Sequence, residues 1–313
     1  MSSPSADPSR SFIKDFLVGG LSAGISRTIT APLERVKILL QNQRSIQVLG
    51  PGQHYKGMIE CYSSILSEEG VIALWRGNWA NIIRYFPNQG LNFAFKEKYK
   101  ALTIGIFGKP NPKTEFWKFF GLNILSGGLA GSTSQFFIYP LDFARTRLAS
   151  DLGRTLADRQ FKGMTDCIMK IGRSDGIQGL YRGFTFTVVC YFFYRAFYFG
   201  LYDTAKGYLG KDPAIWIKFL VAQASVNVAA LVAYPFDTLR RRMMMQSGRQ
   251  PHEVQFRGSW QTLTKVISQE GFLSLYAGGL ANVYRGVGGA LVMVLFDEIH
   301  KLFDPKAKPT AGE

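Results

Sequence analysis

Hydrophobic positions along the chain fall into long runs of helical length separated by polar stretches, and the runs come in pairs. Phe16 to Ala31, Leu122 to Tyr139 and Phe219 to Tyr234 are apolar and rich in glycine, alanine and serine. Gly20 with Gly24, and Gly127 with Gly131, have the four-residue spacing that lets helix backbones approach closely in lipid. Each run ends at a proline: Pro32, Pro140 or Pro235. The second run of each pair, Trp79 to Leu102, Phe184 to Lys206 or Leu280 to Leu302, exceeds the ~20 residues that span a bilayer, yet carries Arg84, Arg195 or Arg285. Helices that line a water-filled cavity need only one apolar side, so the pattern predicts six spans with weak apparent hydropathy.

Three motifs recur in the same order, roughly a hundred residues apart. Pro32-Leu33-Glu34-Arg35-Val36-Lys37 returns as Pro140-Leu141-Asp142-Phe143-Ala144-Arg145 and as Pro235-Phe236-Asp237-Thr238-Leu239-Arg240. An aromatic, a base and a glycine follow as Tyr55-Lys56-Gly57, Phe161-Lys162-Gly163 and Phe256-Arg257-Gly258. Then come Glu69-Gly70 with Trp75-Arg76-Gly77, Asp175-Gly176 with Tyr181-Arg182-Gly183, and Glu270-Gly271 with Tyr276-Ala277-Gly278, where only Ala277 breaks the pattern. The chain divides into a tail at 1–10, repeats at 11–110, 111–210 and 211–303, and a tail at 304–313. Soluble solenoid repeats run ~20 to 50 residues, which is too short for these units. Two spans per repeat return the chain to its starting side. The repeats are therefore parallel, related by an axis along the membrane normal. The expected fold is an all-α membrane protein of six transmembrane helices in three pseudo-threefold repeats, with short helices in the long loops.

Composition sharpens this picture in one respect. The 313 residues carry a formal charge of +15 with 47% hydrophobic residues, which excludes disorder and calls for an anionic partner. Inside a membrane that partner is a lipid or a small molecule, and nucleic acid is not expected. Cys61, Cys167 and Cys190 form no CxxC pair, and His54, His252 and His300 form no metal pattern. There is no GxxxxGK[ST] loop, so neither a cofactor, a metal nor an enzymatic function is expected. The density of basic residues is about equal in long and short loops, which leaves orientation open by the positive-inside rule.

The proline motif places an acid and a base three residues apart on one helix face: Glu34 with Lys37, Asp142 with Arg145, and Asp237 with Arg240. Charges at this depth are costly unless paired, so the six are expected to close a ring between neighbouring repeats. Such a ring either gates a passage or pins the bundle. Arg27, Glu34 and Gln41 follow at seven-residue spacing, which sets Gln41 as a brace beneath the ring. A second, weaker ring is expected at the other end from Glu97, Lys100, Asp203, Lys206, Asp297 and His300. Between the rings, Arg27, Arg84, Arg241 and Arg285 lack matching acids in the sequence, and Tyr191, Tyr194 and Tyr198 line one side of the fourth helix. Guanidinium forks and tyrosine faces suit a nucleotide phosphate ester.

The three PX[DE]XX[KR] motifs, with the aromatic-base-glycine elements, resemble the mitochondrial carrier family from Ser11 to Phe303. The run Arg240-Arg241-Arg242-Met243-Met244-Met245 is similar to the mark of its adenine-nucleotide branch, as are Asn81 to Pro87 and Tyr202 to Lys206. The resemblance implies a multi-pass protein of the mitochondrial inner membrane with its loop helices on the matrix side and its termini toward the intermembrane space. It implies one-for-one exchange of cytosolic ADP for matrix ATP, both without magnesium, by a protein functional as a monomer. It also implies a matrix gate pairing Glu34 with Arg145, Asp142 with Arg240 and Asp237 with Lys37, a cytoplasmic gate at the second ring, and substrate contacts from Arg27, Arg84, Tyr191, Tyr194, Arg241 and Arg285. Cardiolipin phosphates are expected at the helix N-termini marked by Gly57, Gly77, Gly163, Gly183, Gly258 and Gly278. Arg27 stands where the family has a lysine, Cys190 and Tyr191 where it has a glycine and a small aliphatic residue, and Ala233 where it has a serine. These departures keep charge recognition and change the lining expected for adenine. The alternatives are a carrier for another anionic nucleotide or phosphate compound, and a proton-leak role.

Overall fold

The computed structural model describes residues 8–46, 54–111, 114–153, 158–208, 215–250, 252–256 and 258–288, with no strand among them. Repeat one is α1 (Pro8–Asn42), α2 (Met58–Glu68), a 3₁₀ turn (Val71–Trp75) and α3 (Asn78–Phe107). Repeat two is α4 (Phe116–Ser150), α5 (Met164–Ser174), the single turn α6 (Gly176–Leu180) and α7 (Phe184–Tyr208). Repeat three is α8 (Ile215–Met244), α9 (Ser259–Glu270), a 3₁₀ turn (Phe272–Tyr276) and α10, which is described over 279–288. Helix α1 begins at Pro8, inside the stretch assigned to the tail.

The long helices α1, α4 and α8 run through Pro32, Pro140 and Pro235 without a break. A proline cannot donate to the carbonyl four residues before it. Two of these freed carbonyls are capped from within their own repeat: Trp75 Nε1 donates to Thr28 O at 2.7 Å, and the Tyr181 hydroxyl donates to Phe136 O at 2.8 Å. This supplies the chemical reason for an aromatic donor in the third motif.

Each repeat carries its own small core between its long helix and its loop helix. Val36, Cys61, Ile65 and Leu74 pack together in repeat one, Ala144, Cys167, Ile171 and Leu180 in repeat two, and Leu239, Val266 and Leu275 in repeat three. Away from these cores, Ile29, Trp79, Phe137, Leu220 and Leu280 are exposed, an outer surface too apolar for a water-soluble monomer. Among the described residues, two stretches are long and apolar enough to cross a membrane, Gly176–Tyr202 and Phe219–Met244.

Cys61 and Cys167 are fully buried, and burial pushes both thiols up to about 12. The thiolate is the reactive form, so at pH 8 both cysteines are expected to resist maleimide in the folded protein and to label rapidly after denaturation. Mass spectrometry of labelled peptides checks this, and fast native labelling would show that the loop cores open.

The glycines of the second and third motifs have different surroundings. Gly57, Gly163 and Gly258 precede α2, α5 and α9 in open space. Gly77, Gly183 and Gly278 have φ of 83, 88 and 75°. They press against the next repeat: an added Cβ would lie 3.3 Å from Arg145 O, 2.6 Å from Arg240 O and 2.9 Å from Lys37 O, respectively. The three carbonyls belong to the bases of the proline motifs. The seams between repeats thus lie directly behind the charged residues.

Candidate functional site

Because the six charges follow the prolines on equivalent faces, the converging ends of α1, α4 and α8 bring them together. Glu34 pairs with Arg145, Arg240 lies 3.3 Å from Asp142, and Lys37 lies 3.0 Å from Asp237. Asp142 and Arg145, and Asp237 and Arg240, also approach within each helix at 3.8 and 3.0 Å. Gln41 Nε2 donates to Asp237 at 3.3 Å and to Thr238 Oγ1 at 3.2 Å, against the base of the ring.

Above the ring is a cavity of about 490 Å³ lined by Arg27, Arg84, Arg241 and Arg285, with Cys190, Tyr191, Tyr194 and Ala233 on its wall. The sequence leaves the four arginines without acids, and here the structure differs. Arg84 Nε lies 3.6 Å from Asp142, and Arg241 Nε lies 3.2 Å from Asp237. A carboxylate has more lone pairs than one base uses, so each of these acids takes a cavity arginine besides its ring base. Arg27 lies over the Tyr85 ring at 4.7 Å and donates to Asn81 at 3.1 Å, while Arg285 donates to Asn282 at 3.2 Å. The Nε groups of Arg84 and Arg285 are buried with no hydrogen-bond partner among the described residues. The site is therefore strongly cationic with donor capacity in reserve, which suits a polyanion.

Asn81 and Asn282 were not singled out from the sequence. Asn81 donates to Glu34 at 3.1 Å, and Asn282 accepts from Lys37 at 2.9 Å, so each joins a cavity arginine to the ring. The available signal is their equivalent place four residues after Gly77 and Gly278. Beneath the ring a further set of charges appears. Glu69 lies 2.6 Å from Arg35 and 3.0 Å from Arg76, Asp175 lies 3.3 Å from Arg182, and Glu270 pairs with Arg242. Arg76 donates to the carbonyls of Asp151 and Gly153, and Arg182 to that of Gln246, tying each repeat to the end of the next long helix. Ala277 supplies no such base in repeat three. There Arg242 Nε reaches Gln41 O at 3.3 Å instead.

The structure describes side chains for two of the six second-ring residues, Glu97 and Lys100. Glu97 and Lys100 are exposed on α3, Asp203 and Lys206 fall in α7, and Asp297 and His300 lie outside the described residues. Tyr194 stacks on Tyr198 with ring centroids 6.1 Å apart, and Tyr198 on Tyr202 at 5.8 Å, continuing the tyrosine face along α7.

A threefold helical chain with a basic cavity above a charge ring has the architecture of a membrane carrier. The mitochondrial carrier protein family model matches residues 8–106, 116–213 and 211–307, and the chain belongs to that family. It is a transport protein of the mitochondrial inner membrane rather than an enzyme. It is 52% identical over 297 residues to ADP/ATP translocase 2 of Rattus norvegicus, covering 94% of this chain and 99% of the relative. It is 51% identical over 294 residues to ADP/ATP translocase 3 of Homo sapiens, covering 93% and 98%.

Proposed function

We propose that this protein is an antiporter that exchanges cytosolic ADP for matrix ATP, both free of magnesium. The observation that carries the reading is the cavity: Arg27, Arg84, Arg241 and Arg285, with Tyr191 and Tyr194, face a space of about 490 Å³ closed at one end by paired charges. Phosphate oxygens fit the guanidinium forks, and an aromatic wall suits a base. The near full-length relatives named ADP/ATP translocase support the same substrates.

In this reading the chain crosses the inner membrane six times with both termini toward the intermembrane space. The ring at Glu34, Lys37, Asp142, Arg145, Asp237 and Arg240 is the matrix gate, braced by Gln41. Glu97, Lys100, Asp203, Lys206, Asp297 and His300 form the cytoplasmic gate. Two rings that close alternately around one central site give alternating access, which requires each ring to be modest in net stability. Exchange of a tetravalent for a trivalent anion moves one net charge, so the membrane potential favours ATP export by ~2.3 kcal/mol per 100 mV. The N-termini behind Gly57, Gly163 and Gly258, with those behind Gly77, Gly183 and Gly278, would take cardiolipin phosphates, and the carrier acts as a monomer.

Arg84→Ala is expected to lower ADP-dependent ATP uptake into proteoliposomes by at least about tenfold, since it removes a buried cation facing the substrate. Uptake unchanged by this substitution would refute the reading. Cys190, Tyr191 and Ala233 bring a second nucleotide substrate into consideration, and competition by a panel of nucleoside di- and triphosphates separates it from ADP and ATP.

A further inference from the structure

Two positions of the repeat face each other across the cavity wall. Five residues before the prolines stand Arg27, Gln135 and Ala230, and eight residues after the seam glycines stand Tyr85, Tyr191 and Gly286. In repeat one the pair meets as a guanidinium over a ring. In repeat two the Tyr191 hydroxyl donates to Gln135 Oε1 at 3.3 Å. Ala230 and Gly286 offer no polar side chain to pair.

The second pair continues into the charge ring. Gln135 is 1% exposed, and its Nε2 donates to Asp142 Oδ2 at 3.2 Å. The same carboxylate holds Arg240 at 3.3 Å and faces Arg84 at 3.6 Å. Tyr191 itself lines the cavity, with its ring backed against α4 so closely that a Cβ at Gly131 would lie 2.9 Å from its Cδ1. One side of the phenol is therefore fixed by backbone and the other faces the occupant.

We propose that Tyr191 and Gln135 form a relay that reports occupancy of the cavity to Asp142. The inference rests on the exchange reading above, with a nucleoside polyphosphate as the occupant. A base seated against this wall turns the Tyr191 hydroxyl away from Gln135 without accepting its hydrogen bond. Gln135 then loses one of its two anchors, and its donation to Asp142 weakens while the phosphates draw on Arg84. Both events loosen the same carboxylate. Tyr191 and Gln135 act here as positioning residues, and the state of the ring is their output.

Linkage gives a test that a packing role does not mimic. A bond that binding must break opposes binding, so deleting it loosens the empty protein and tightens the complex. Tyr191→Phe is expected to lower the thermal midpoint of the empty protein by a few degrees and to tighten ADP binding by about threefold to tenfold, the worth of one ordinary hydrogen bond. Gln135→Leu should act in the same direction, and the double substitution should tighten binding no further than the single ones. A Tyr191 that only packs would lower stability with ADP affinity unchanged or weaker. Unchanged or weaker affinity in both variants, or additive effects in the double, would overturn the relay. The unaltered protein in the same vesicles separates the two readings. Absence of ADP/ATP exchange there refutes the exchanger, whereas normal exchange with unaltered affinity in the variants refutes the relay alone.

Discussion

Asp142→Ala is expected to destabilise the protein by about 3–5 kcal/mol, because it leaves buried guanidinium groups without their shared anion. Asp142 is 2% exposed and stands among Arg84 at 3.6 Å, Arg145 at 3.8 Å and Arg240 at 3.3 Å. With the acid gone, these cations repel one another in a setting that water screens poorly. Glu34 still pairs with Arg145, whereas Arg240 keeps Asp237 on its own helix and loses its partner from the neighbouring repeat. The measurement is the thermal midpoint of the purified protein in detergent, where a fall of about 10 °C corresponds to this free energy for a chain of this size. A second substitution, Arg240→Ala, should recover part of the loss by removing one uncompensated charge. A fall of less than about 1 °C would mean that Asp142 is not the anion on which these bases rely.

Gly183→Ala is expected to cost about 2–5 kcal/mol from two independent sources, a left-handed backbone of about 1–2 and a close contact of about 1–3. Gly183 has φ of 88°, and its added Cβ would sit 2.6 Å from Arg240 O. The neighbour is a helix backbone, which cannot rotate away as a side chain can. Gly163→Ala is the matched control: its backbone is extended and the space around it is open. Its midpoint should change by less than about 2 °C, so the difference between the two variants isolates the seam. Equal effects at both positions would show that the repeats are not in contact behind the ring.

Much of this arrangement was legible in the chain, for local reasons. Acid and base three residues apart must share a helix face, and three copies of such a face predict a ring. Gln41 was legible as a brace because seven residues return a helix to nearly the same side. What escaped depends on approach between helices. Asn81 and Asn282 look like ordinary helix residues until α3 and α10 come against α1, where they reach Glu34 and Lys37. Arg84 and Arg241 read as lacking acids because sequence records no distance, yet each reaches a ring carboxylate. Arg35 carries no pattern of its own within the proline motif, while in the fold it is 1% exposed and pairs with Glu69. The glycines marked for lipid phosphates share a motif role but not an environment, since three stand in the open and three are pressed against backbone.

The capped carbonyls at Thr28 and Phe136 have a mechanical consequence. Shifting α1 or α4 at its proline relative to the loop would strip the indole of Trp75 or the phenol of Tyr181 from its acceptor, so each proline segment is lashed to the loop segment of the same repeat. The first two repeats should accordingly turn as stiff staves, with slippage concentrated along the joints between them rather than within them.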